Sequence, residues 1–95
     1  MQFDEFEQST LSPAPPAGLS PYLTSLWHAK RGEWTAAHDI LQDIEDTNGS
    51  WVHAYLHRYE GDHPNANYWY QRAGKLIPHE RDLDAEWRDI VTALL

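Results

Sequence analysis

Two glycines 29 residues apart, Gly32 and Gly61, constrain this chain more than any other feature, because the residues around them repeat with the same offset. His28 maps onto His57, Ala37 onto Ala66 and Gln42 onto Gln71, while Leu23 meets Val52 and Glu33 meets Asp62. On either side of each glycine the apolar residues recur at spacings of three and four, the period of an amphipathic helix. Glycine ends helices readily because it accepts the left-handed conformation at no steric cost. The chain therefore reads as two units of helix, glycine corner and helix, which stack because neither buries its apolar face alone.

Ser20 is placed to cap a first helix with Pro21 in its opening turn, and Leu23, Leu26 and Trp27 carry it to Gly32. Trp34, Ala37, Leu41 and Ile44, widened by Ile40, make a second helix to about Asp46, which "DTNGS" then breaks. Ser50 is expected to cap a third, built on Trp51, Val52, Tyr55, Leu56 and Tyr59 and stopping at Gly61. Asp62 or His63 begins a fourth, with Ala66, Trp69, Tyr70 and Ala73 on one face and Gly74 at its end. Beyond Pro78, Glu80, Asp82 and Asp84 suit the positive end of a helix dipole, and Leu83, Trp87, Ile90, Val91 and Leu94 form the apolar stripe. No segment alternates with the period of two that marks a strand. The expected fold is all-α: two stacked helix-turn-helix hairpins plus a C-terminal capping helix, five helices in all.

The first residues have another texture, with four of the six prolines at Pro13, Pro15, Pro16 and Pro21. Residues 1–19 are expected to form a flexible, acidic, proline-rich arm, and residues 20–95 a single helical-repeat domain. Phe3 and Phe6, three apart among acids, have the spacing of one helical turn, but a frayed terminus is the expectation. A chain of 95 residues without cysteine has neither disulfides nor thiolate metal ligands to reinforce it, so its large aromatics must supply much of the core. Repeat arrays usually need three units to bury enough apolar area. Here the fifth helix must cap the stack, or two chains must associate as a homodimer.

The second unit carries Gly61, Ala66, Tyr70, Ala73 and Pro78, and the first carries Gly32, Trp34, Ala37, Leu41 and Ile44. At these spacings residues 22–78 resemble the tetratricopeptide repeat family, and the resemblance implies helical hairpins that hold a peptide or partner protein. The departures are a 29-residue period where that family has 34, the missing tryptophan and leucine of the family's first helix, and His63 where an aromatic is expected. The block from Leu26 to Gly74 is also similar to a group of small, uncharacterised bacterial proteins, which implies a shared fold and no activity.

A net charge of −8 repels phosphate backbones and anionic headgroups, so neither nucleic acid nor membrane is an expected partner. The start "MQFDEFEQST" has no basic, apolar leader, and no run approaches a membrane span, so a cytoplasmic location is expected. Charge divides as −3 over residues 1–21, −2 over 22–75 and −3 over 76–95, which leaves the middle nearly balanced.

His53 and His57 share a helix face one turn apart, with Glu60 a further turn on, a spacing from which zinc takes imidazoles and a carboxylate. The zinc-peptidase signature needs a glutamate directly after the first histidine, and Ala54 stands there, so no metal and no other cofactor is expected. His28 and His38 have the spacing to meet across the first hairpin and do acid–base work. There is no nucleophile elbow and no phosphate-cradling glycine loop. Tyrosine, tryptophan and arginine dominate binding hot spots, and residues 51–75 are rich in them. The expected function is a small interaction module that binds a peptide or partner protein through Trp27, His28, Tyr55, His57, Arg58 and Trp69, with no catalytic residues. The rivals are a histidine-using or metal-dependent enzyme and an acidic, immunity-type inhibitor of a basic partner.

Overall fold

The computed structural model describes residues 1–79 and 81–95, and among these there are six α-helices and no strand. They are α1 (Phe3–Ser9), α2 (Pro21–Lys30), α3 (Trp34–Leu41), α4 (Thr47–Tyr59), α5 (His63–Ala73) and α6 (Leu83–Leu94). The fold is all-helical, but the expected five helices must be corrected to six. The additional helix is α1, inside the segment expected to be an arm. Its cause is tertiary: Phe6 is fully buried against Trp87 of α6, with ring centroids 5.9 Å apart, and Phe3 meets the same indole edge-on at 5.8 Å. Arg31 then pins the far end of the segment, donating from Nη1 to the main-chain oxygens of Thr10 (2.9 Å) and Ser12 (2.7 Å).

α2 packs most extensively on α3, and α4 on α5, so each glycine corner closes a helical hairpin. The two corners have one geometry. Gly32 and Gly61 sit at φ 76° and 85°, and each glycine N–H donates three residues back, to Ala29 and Arg58, at 3.0 Å. The following N–H reaches five back, Glu33 to His28 at 3.0 Å and Asp62 to His57 at 2.9 Å, which satisfies carbonyls the helix end would leave open. Ala37 and Ala66 are buried at the two crossings, where a small side chain lets the helices approach. The buried hydroxyl of Ser25 adds a tie across the first hairpin, donating to the main-chain oxygen of Ala37 at 2.8 Å.

Two boundaries differ from expectation. α3 ends at Leu41, short of Asp46, and α4 starts at Thr47 because Asp46, and not Ser50, is its cap, its Oδ1 accepting from Gly49 N–H at 2.7 Å. Ser50 is buried inside the helix. At α6 the cap is Asp82, which accepts from Asp84 N–H at 3.1 Å; the expectation for Glu80 falls outside the described residues.

The main core joins Leu26 and Trp27 of α2, Leu41 of α3, Val52 and Leu56 of α4, and Trp87, Ile90 and Val91 of α6. A smaller cluster of Ala54, Ala66 and Tyr70 seals the second hairpin. Among the described residues no helix is long and apolar enough to cross a membrane.

Candidate functional site

The six residues expected to form one binding surface are dispersed. Trp27 and Tyr55 lie in the main core, and His57 is buried. His28 is half-buried, and its Nδ1 stands 2.9 Å from Glu33 Oε1, so it is held by that carboxylate and does not meet His38. Arg58 is committed to a buried network: its Nη1 donates to Glu86 Oε1 at 2.8 Å, its Nη2 to the main-chain oxygen of Arg81, and Tyr70 donates its hydroxyl to the other oxygen of Glu86. Burial pushes the Glu86 carboxyl up from its ordinary value, against the opposing pull of Tyr70 and Arg58. The same burial, reinforced for Tyr70 by the Glu86 hydrogen bond, pushes the Tyr55 and Tyr70 phenols well above theirs.

Trp69 leads to the most concentrated chemistry in the molecule. Its indole stacks on the His53 ring, centroids 4.1 Å apart and planes within 9°. His53 stacks in turn on His57 at 4.9 Å, as i and i+4 residues of α4 should. His38 of α3 stands edge-on to both, and its other face is stacked by Trp34 at 4.8 Å. Trp34 is fixed by an indole N–H that donates to the main-chain oxygen of Leu56 at 2.7 Å. Two helices thus deliver three imidazoles, His38 from α3 and His53 and His57 from α4, between the indoles of Trp34 on α3 and Trp69 on α5. His38 Nε2 and His53 Nε2 are 3.0 Å apart, and one ring nitrogen from each of His38, His53 and His57 lies within 4.8 Å of the others. His57 Nδ1 is 3.0 Å from Glu60 Oε1; a carboxylate only accepts, so Nδ1 carries the hydrogen and Nε2 keeps its lone pair, 3.4 Å from the Asn65 amide nitrogen.

Burial, and then the neighbouring His38 and His57, hold the His53 pKa down to about 4, so this ring is neutral near pH 7. Its Nδ1 is buried with no hydrogen-bond partner. Glu60, which has the spacing of a ligand set with His53 and His57, falls instead in a separate group with His57 and Asp62. His38 takes its place beside His53. The spacing of His53 and His57 announced one helix face, but nothing local says which face of α3 turns towards it. A cleft of about 160 Å³ among Arg58, His63, Asn67, Tyr70 and His79, and another of about 340 Å³ between α1 and α6, both leave the trio outside.

A further face runs along the outer side of the second hairpin. Arg72 sits over the Trp69 ring at 5.4 Å and Lys75 over Trp51 at 4.0 Å, beside the exposed side chains of Tyr68 and Leu76. Compared with models of known protein families, with curated proteins and with solved structures, the chain shows no significant match, and its function has to be read from these side chains.

Proposed function

We propose that this chain is a small helical interaction module whose second hairpin binds an acidic segment of a partner protein. The observation that carries the reading is the pairing of two cations with two tryptophans on one outer face, Arg72 with Trp69 and Lys75 with Trp51. Tyr68 is 54% exposed and Leu76 is 94% exposed beside them, which leaves large aromatic and aliphatic area in water. Rigid aromatics with arginine bury much surface at small entropic cost, the composition of binding hot spots. In a chain of net charge −8 this face carries two cations, Arg72, which also reaches Glu45 at 3.4 Å, and Lys75, and their charge favours an acidic partner over a basic one. Of the six residues expected to bind, Trp69 contributes to this face, whereas Trp27, Tyr55 and His57 serve the interior.

The test is a photo-crosslinking phenylalanine analogue placed at Tyr68, with the same probe at the exposed Thr35 of α3 as control. A discrete adduct from position 68, absent from position 35 and lost in Arg72→Glu, Lys75→Glu protein, is the expected result. Equal labelling from both positions, or labelling indifferent to the charge reversals, overturns the reading. An adduct of twice the chain mass identifies a second copy in place of a different protein.

A further inference from the structure

We propose that His38, His53 and His57 form a binding site for one divalent transition-metal ion, of the zinc, cobalt, nickel and copper class. The first support is geometric. Imidazole nitrogens around a tetrahedral ion with bonds of about 2.0–2.1 Å lie roughly 3.3 Å apart. The Nε2 atoms of His38 and His53 already approach to 3.0 Å, and a ring nitrogen of His57 lies within 4.8 Å of both.

The second support is the identity of the residue at position 53. A phenylalanine would stack on Trp69 and His57 equally well, with no buried polar atoms. Histidine instead leaves Nδ1 buried and without a partner, and turns its single polar contact towards His38. The Nε2–Nε2 contact is the one that an ion shared by His38 and His53 would replace. The third support is Glu60, whose carboxylate fixes the His57 hydrogen on Nδ1 and leaves Nε2 as the free donor, as a carboxylate behind a metal-bound histidine does. Asn65 is the group an ion at Nε2 would displace.

An all-imidazole set selects borderline metals over magnesium or calcium, which take oxygen ligands. Neutral imidazole is the form that binds, so affinity should fall as the medium is made acidic. Three protein ligands leave a tetrahedral ion one further position, which solvent would take. The assignment does not rest on the acidic partner proposed above, and Trp69 is the one residue the two sites share, stacked on His53 and paired with Arg72.

Untagged protein titrated with Zn²⁺ and with Co²⁺ tests it. The expected result is one equivalent bound per chain, with the intense visible bands of tetrahedral cobalt. His38→Ala, on a half-buried helical position where alanine is well tolerated, should weaken binding by at least about tenfold to a hundredfold. His63→Ala and His79→Ala should leave it unchanged. Zinc added to the wild-type protein should move the ring resonances of His38, His53 and His57 and leave those of His28, His63 and His79 in place, a reading that needs no variant to fold. Absence of binding overturns the site. So does binding insensitive to His38→Ala, or binding abolished by Asp62→Asn, which would assign the ion to His57, Glu60 and Asp62.

Discussion

The indole N–H of Trp87 in α6 donates to the main-chain oxygen of Leu26 in α2 at 2.8 Å, joining the last helix to the first hairpin. The same indole is almost fully buried and receives Phe3 and Phe6 from α1. One side chain thus holds three helices together. Trp87→Ala should cost about 3–5 kcal/mol by cavity and transfer terms, a large share of the roughly 5–15 kcal/mol that holds most domains folded. Trp87→Phe, which keeps most of the bulk and loses the N–H, should cost less. Urea denaturation of both variants, with near-ultraviolet circular dichroism as the packing signal, checks the order. Equal costs would mean that the hydrogen bond, and not the buried ring, is the dominant link.

Glu86 is buried between Arg58 and Tyr70 and bonded to both. Glu86→Ala removes the partner of a largely buried guanidinium, and breaking such a pair costs about 3–5 kcal/mol. Tyr70→Phe leaves one carboxylate oxygen short of a donor and should cost about 1–3 kcal/mol. The two substitutions share one network, so the double variant should be less destabilised than the sum. Strict additivity in urea melts would show that Tyr70 and Glu86 are not coupled.

The glycine corners were legible because positive φ is a local steric matter, and Gly32 and Gly61 adopt it with matching hydrogen bonds. The helix α1 is not legible in the same way: its local support is Glu5, which accepts from the Gln2 N–H at 3.3 Å, with Asp4 in the first turn, and the ring it packs on, Trp87, lies some eighty residues further along. The start of α4 was misplaced for a different reason. Asp46 and Ser50 are both good caps four residues apart, and it is Asp46 whose Oδ1 accepts from the Gly49 N–H, at 2.7 Å, a bond no periodicity encodes. At the site, His53 and His57 announced their common face, but His38 joined them only through the way α3 lies on α4. Trp27 and Tyr55 are a reminder that the residue types of hot spots are also those of a cysteine-free core.

Gly49 offers a direct test of the α4 start. Alanine is favoured over glycine by about 1 kcal/mol in a helix, yet a Cβ at Gly49 would stand 2.4 Å from the Ile44 main-chain oxygen and 2.9 Å from its Cγ2. Gly49→Ala should therefore destabilise the protein and displace the Asp46 cap. Gly32→Ala and Gly61→Ala meet no such clash and should cost about 1–2 kcal/mol each, from the left-handed backbone alone. Thermal melts of the three variants decide it: a Gly49→Ala protein more stable than wild type would require a helix that begins at Ser50 after all.

The histidine stack makes stability depend on acid, and the sign follows from His53. Its folded pKa is held down to about 4 by burial first and by His38 and His57 second, against an ordinary value of 6.5. Between those values the unfolded chain binds the proton and the folded chain does not, so stability is fully present above about pH 6.5 and falls as pH drops towards 4. At 1.36 kcal/mol per unit the whole window is worth about 3 kcal/mol. The raised pKa of Glu86 works with the opposite sign, stabilising the acid side, so the wild-type curve alone does not isolate the histidine. His53→Phe does, because it keeps the stack on Trp69 and removes the ionisation. The difference in unfolding free energy between wild type and His53→Phe, measured in urea from pH 4.5 to 7.5, should rise with pH and level off near 6.5. A flat difference would mean that His53 titrates as freely in the folded chain as in the unfolded one, and that its ring is not enclosed between His57 and Trp69.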